Sequence, residues 1–174
     1  FPGQKQSHAL CYAVLRAGRE ETRMIETNRV VVHLIDGVIL KGRSLDFLPN
    51  RPTFLLRPMD EGDPIDVRCD GIKALFFVRT FEGDPKRHDL RGFLAGPPQM
   101  SKGNKIAVLF HDGELLTGYS MNYSPDKEWF VMFPADPKSN NLRIYVAAAA
   151  AMEVRTGPAA NSLVERFRGT GKAS

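Results

Sequence analysis

The feature that most constrains this chain is an internal repeat. The segment from Val30 to Pro58, VVVHLIDGVILKGRSLDFLPNRPTFLLRP, returns in diverged form from Ile106 to Pro134, IAVLFHDGELLTGYSMNYSPDKEWFVMFP. At one constant offset and without a gap, Asp36-Gly37 falls on Asp112-Gly113, Leu40 on Leu116, Gly42 on Gly118, Ser44 on Ser120, Pro49 on Pro125, Phe54 on Phe130 and Pro58 on Pro134. The same offset brings Val78-Arg79 onto Val154-Arg155. A duplication of this length predicts one structural unit built twice.

Inside each copy the apolar residues alternate. Val30, Val32 and Leu34 share one face of a strand, and Val31, His33 and Ile35 share the other. Asp-Gly is a hairpin signal, because a tight primed turn needs the positive φ that glycine accepts without strain. A two-residue loop there sets Leu34 opposite Ile39, and Phe110 opposite Leu115. Gly42 and Gly118 predict a bend in the second strand. Phe47 to Pro52 and Tyr123 to Asp126 read as loops, Thr53 to Leu56 as a third strand, and Ile65 to Cys69 and Ile72 to Val78 as fourth and fifth strands joined at Asp70-Gly71. In the second copy Ala147 to Ala151 stays a strand on the strength of the repeat, although alanine favours helix.

The expected layout is a helical lead-in over 1–26 carried by Ala9, Leu10, Ala13 and Val14, and a first five-stranded unit over 27–81. A linker over 82–104, charged at first and then rich in Gly and Pro, leads to a second unit over 105–156. A helix and basic tail fill 157–174, the helix capped by Asn161-Ser162 and closed at Gly169.

A hydrophobic fraction of 43% supplies a core, and no apolar run approaches the roughly 20 residues of a membrane span, so no membrane partner is expected. The formal charge of +4 admits a polyanionic partner, although 24 basic residues stand among 20 acidic ones with little segregation. Cys11 and Cys69 are far apart, without C-x-x-C spacing or a nearby His. That argues against a zinc site, gives no ground for a disulfide, and favours a reducing, cytoplasmic setting. A chain beginning at Phe1 reads as a fragment or a processed form, so the lack of a targeting signal is uninformative.

No phosphate-cradling glycine loop, metal-ligand spacing or carboxylate pair is present, so neither an enzyme nor a bound cofactor is expected. His33 and His111 fall at non-equivalent positions of the repeat and read as half-buried strand residues. Ser44 and Ser120 recur, but not in a G-x-S-x-G setting. Trp129, Phe130 and Phe133 suit a core, or stacking on a base.

An apolar strand, a D/N-G turn, a strand ending in L-x-G, an aromatic loop and an L-x-L strand together resemble the first motif of Sm-like proteins, the Lsm and Hfq family of SH3-like barrels. The carriers are Leu34, Asp36, Gly37, Leu40, Gly42, Phe47, Leu55 and Ile72 to Val78, then Phe110, Asp112, Gly113, Leu116, Gly118 and Tyr123. An uncharacterised bacterial family of tandem domains fits equally well. The resemblance implies an all-β protein of two tandem small five-stranded Sm-like or SH3-like barrels with short terminal helices. It also implies ring-forming barrels that bind single-stranded RNA on loop side chains beside basic residues. In this chain Arg51, Arg57, Arg68 and Lys73 of the first copy would carry the RNA or another phosphate-bearing ligand. The family's base-binding loops are replaced here by Leu48-Pro49-Asn50-Arg51, by Arg68-Cys69-Asp70-Gly71 and by the alanines Ala147 to Ala151. Arg19-x-x-x-Arg23 with Asn122-x-Ser124 resembles the arginine pair and D/N-x-S element of PilZ domains, which implies a cyclic dinucleotide on Arg19 and Arg23. The remaining alternative is a protein-interaction scaffold, or a homo-oligomer, formed through exposed strand edges.

Overall fold

The computed structural model describes residues 28–44, 46–60, 62–84, 86–87, 90–94 and 103–170. The expected N-terminal helix, with Cys11, Arg19 and Arg23, lies outside the described residues. Ten strands follow in order: β1 (Arg29–Leu34), β2 (Ile39–Ser44), β3 (Thr53–Pro58), β4 (Ile65–Arg68), β5 (Ile72–Val78), β6 (Asn104–Phe110), β7 (Leu115–Ser120), β8 (Trp129–Pro134), β9 (Asn141–Ala147) and β10 (Ala151–Thr156). One helix, α1 (Pro158–Thr170), closes the described chain. The protein is thus predominantly β, and no helix among the described residues is long and apolar enough to cross a membrane.

All ten strands join one antiparallel sheet in the order β10-β6-β7-β8-β9-β5-β1-β2-β3-β4. Each repeat contributes five neighbours in the same internal order, fifth-first-second-third-fourth. The two sets are not separate sheets, however. They merge where β5 pairs with β9, from Ala74 opposite Val146 to Val78 opposite Asn141. The cause lies in β5 itself. Its sequence IKALFFV is apolar on both faces, and all seven residues are buried. Ala74, Phe76 and Val78 enter the second repeat's core with Ile106, Val108, Phe110, Phe130 and Met132. Ile72, Leu75 and Phe77 enter the first repeat's core with Val30, Val32, Phe54 and Leu56. Left at an edge, such a strand would expose one apolar face, at about 1.5–3 kcal/mol for each large side chain.

The hairpin turns differ from expectation by one residue. Leu34 N–H donates to the Val38 carbonyl at 2.9 Å, and Gly37 N–H donates back to the Leu34 carbonyl at 3.1 Å, so the loop has three residues. Ile39 therefore faces His33 rather than Leu34, and Leu115 faces Leu109 rather than Phe110. Only the glycine takes positive φ, +89° at Gly37 and +84° at Gly113, as a type I turn followed by a bulge requires. Asp36 and Asp112 instead accept bonds from the Val38 and Glu114 N–H groups, at 3.0 and 3.1 Å.

The repeat register also changes once. Val30 pairs with Phe77, whereas its equivalent Ile106 pairs with Thr156, so the fifth strands align three residues further along than the constant offset states. Val154 is the counterpart of Leu75, not of Val78. The three extra residues are Asn141 to Arg143 at the start of β9, two of which pair with β5 across the joint. The alanine run is not one strand: Ala147 ends β9, Ala148–Ala150 form a 3-10 turn and Ala151 opens β10. Cys69–Gly71 form the matching turn in the first repeat. Helix α1 begins at Pro158, earlier than Asn161, because Gly157 at φ +59° turns the chain and proline suits a first helical position. Its Ala160, Leu163 and Val164 pack on Ala107 and Leu115.

Candidate ligand-binding face

The four residues that sequence singles out in the first repeat are not brought together. Lys73 is buried, and its ammonium pairs with both Asp112 and Glu114 of the second repeat. Arg68 is exposed and pairs with Asp70 at 2.6 Å, and Arg51 pairs with Asp46 at 3.6 Å. Both sit near the start of β3, where Thr53 faces Arg68, whereas Arg57 sits at its other end beside Pro58. Asn122 and Ser124 serve their own loop: Asn122 Oδ1 accepts from Val131 N–H at 3.1 Å, and Ser124 Oγ donates to Asp126 at 2.5 Å. Asp46 repeats the first role, accepting from Leu55 N–H at 2.7 Å.

What the sheet does bring together is a row that sequence spacing hides. Arg29 is directly opposite Arg43 on β1 and β2, and Arg43 is directly opposite Arg57 on β2 and β3. Directly paired residues point to the same face, so three guanidinium groups stand side by side across three strands. They line one depression with Pro58, Met59, Gly62, Asp63, Pro64 and Phe81. Arg29 is anchored by donating to the Arg79 carbonyl at 2.8 Å. The second repeat supplies an internal comparison. Its equivalent residues are Lys105, Tyr119 and Phe133, in the same register. There Phe93 of the linker lies over them, 6.0 Å from the Tyr119 ring and 5.0 Å from the Lys105 ammonium. Thr117 Oγ holds that linker by bonds to Gly92 N–H and the Gly92 carbonyl, at 3.2 and 3.0 Å. Lys41 stands at the position of Thr117 in the first repeat, so there the same face carries four basic side chains.

Beside this row is a cleft of about 660 Å³ between the repeats. Val31, Phe76, Val78 and Ile144 supply apolar side chains to a lining that also holds Lys41, Arg87 and Arg91, and Phe81 lines both the cleft and the arginine depression. Its carboxylates are engaged from within. Glu114 holds Lys73, and Asp136 holds Arg87 together with the N–H groups of Lys138 and Leu90, at 2.9 and 3.1 Å. Burial alone would raise the Asp136 carboxyl, but those three donors outweigh it and hold it below the usual carboxylate range. His33 packs against Phe76 with ring centroids 4.6 Å apart and the rings tilted by 49°. Burial lowers its imidazole below the ordinary histidine value and so favours the neutral ring at pH 7, against the opposing pull of Glu114.

A family model described as a family of unknown function, DUF6982, matches residues 26–156. That span takes in both repeats and stops where β10 ends, before α1. The chain belongs to DUF6982. No curated protein and no solved structure matches it. What can be said of this DUF6982 protein's chemistry therefore comes from its own side chains. The sequence signal that could have found the row is the residue identity at repeat-equivalent positions, Arg29 and Lys105, Arg43 and Tyr119, Arg57 and Phe133, once strand register is known.

Proposed function

We propose that this protein is a non-catalytic binding module that holds single-stranded RNA, by its phosphates, on the face of β1, β2 and β3. The supporting observation is the arginine row: Arg29, Arg43 and Arg57 are directly opposite one another on three neighbouring strands and line one depression, where an anionic ligand can meet several guanidinium groups at once. Guanidinium groups spaced at strand separation, roughly 5 Å, suit contacts to phosphate oxygens. Of the residues first singled out, Arg57 belongs to this face, while Lys73 serves the joint between repeats. In this reading each five-stranded half curls into a small SH3-like barrel, supported by the shared strand order and by the 3-10 turn between the fourth and fifth strands of each.

The test is binding of a short single-stranded RNA over a salt series. Substituting Arg43→Gln with Arg57→Gln should weaken binding about tenfold or more and flatten the slope of log affinity against log salt by about 1.4, for two lost phosphate contacts. The pair Arg51→Gln with Arg68→Gln should leave both nearly unchanged. Absence of salt-dependent RNA binding by the unsubstituted protein defeats the reading and leaves a scaffold acting through strand edges.

A further inference from the structure

The cleft and the arginine row share a boundary, and what stands on it bears on the kind of ligand that would span both. Phe81 lines each of them, half-buried against the second repeat's core. Lys41 lines the cleft from the row's side, and its ammonium donates to the Phe81 carbonyl at 3.3 Å, which ties the aromatic residue to β2. Beyond Phe81 the lining is mixed, with the apolar side chains of Val31, Ile39, Phe76 and Val78 beside polar groups that include the His33 ring, Arg91, Asn141 and the paired Arg87 and Asp136. A mixed lining of this kind suits a nucleobase, whose flat apolar face can stack on an aromatic ring while its polar edges meet the hydrogen-bonding groups of the wall. The volume, about 660 Å³, lies in the range of ordinary small-ligand sites. Glu114 and Asp136, the carboxylates that could repel an anionic strand, are each held by a cation of the protein.

We propose that the cleft is the base-receiving half of the site: with phosphates on the arginine row, nucleobases turn inward across Lys41 and stack on Phe81. This rests on the RNA-binding reading above and adds what that reading leaves open, namely that the ligand is held by its bases as well as its charge. An RNA strand is thereby distinguished from a polyanion that has no bases.

The experiment compares a short single-stranded RNA with inorganic polyphosphate of similar charge, on the whole chain, by fluorescence anisotropy or competition. Phe81→Ala should weaken RNA binding about fivefold to a hundredfold, the span of one lost base stack, and leave polyphosphate affinity unchanged. Phe81→Trp should restore RNA binding. Because Phe81 also touches the core, Ile39→Glu provides a second variant: Ile39 is 53% exposed at the cleft wall, so the fold tolerates the change while the new carboxylate repels RNA from the cleft. If Phe81→Ala alters both ligands equally or neither, the base-stacking proposal is overturned, although loss of both ligands on Arg43→Gln with Arg57→Gln would still uphold the phosphate row. If the unsubstituted protein binds neither ligand, both fall together.

Discussion

A glycine can be required for two unrelated reasons, and each reason recurs in both copies of the repeat. Gly37 and Gly113 take positive φ in the hairpin loops with nothing near the missing side chain. Gly42 and Gly118 have ordinary backbone angles, but a Cβ there would sit 2.2 Å from the Arg57 carbonyl oxygen and 2.1 Å from that of Phe133. The neighbouring strand crosses where a side chain would be, which is why these glycines recur in the repeat. Gly42→Ala and Gly118→Ala should each cost about 1–3 kcal/mol, through strain rather than lost contacts. Gly71→Ala, with open space around it, should cost far less, and urea denaturation of the three variants would show the ranking. Sequence alone marks Gly42 and Gly118 as special and predicts a bend. The distance to the next strand is a tertiary fact.

At the scale of elements, the β6-β7 turn leans on β5 through charge. Lys73, 8% exposed in its side chain, is held by Asp112 and Glu114 and lies 4.5 Å from the Phe110 ring centroid. Burial alone would lower the Lys73 ammonium, yet the hydrogen bonds to the two carboxylates outweigh it and the net shift is upward. The hydrogen bond from Lys73 holds the Asp112 carboxyl below its usual value. The sign follows from each direction. The Asp112 share of stability is present above its unfolded value near pH 4 and is lost as pH falls through its lower folded value; the Lys73 share is present below roughly pH 10.4 and is lost as pH rises through its higher folded value. Lys73→Met should therefore destabilise by about 1–2 kcal/mol across neutral pH, since both carboxylates are partly exposed. Toward pH 2–3 the gap from the unsubstituted protein should narrow, and a gap that stays constant in denaturation curves there would contradict the assignment. At the equivalent positions the first turn and last strand carry Val38 and Met152, so this clamp exists only at the joint.

For the whole molecule the question is why the sheet formed by the described residues stops at ten strands. Its ends are β4 and β10, the counterparts of the β9 and β5 that form the central joint. Where β5 presents Ala74 and Phe76 to the second core, β10 presents Glu153 and Arg155, paired with each other at 2.8 Å, with Arg166 of α1 also on Glu153. Repeating the joint with another copy would bury that charged pair against Val67 and Ile65 of β4. Inward charges of this kind stop sheets from growing edge to edge. Light scattering should accordingly find one chain per particle, whereas Glu153→Ala with Arg155→Phe, which restores the β5 pattern, should produce concentration-dependent association. A multimeric unsubstituted protein would refute this account of the edges.

The duplication, the β content and the placement of the strands through Val78 to within two residues were legible in the sequence, because alternation and turn chemistry act over neighbouring residues; the hairpin register was not, because it depends on a three-residue loop where two residues were expected. Local pattern cannot say which strand lies beside which, so the sequence pointed to two separate units, to a constant offset as far as Val154 and to Lys73 as a ligand residue, whereas the strands merge into one sheet, the fifth strand shifts by three residues and Lys73 pairs with Asp112 and Glu114. The arginine row belongs with these: Arg29, Arg43 and Arg57 are far apart along the chain and become neighbours only when hydrogen-bonded ladders set their register. Side-chain periodicity determined what each segment could become, and the two-sided burial of β5 decided how the segments meet.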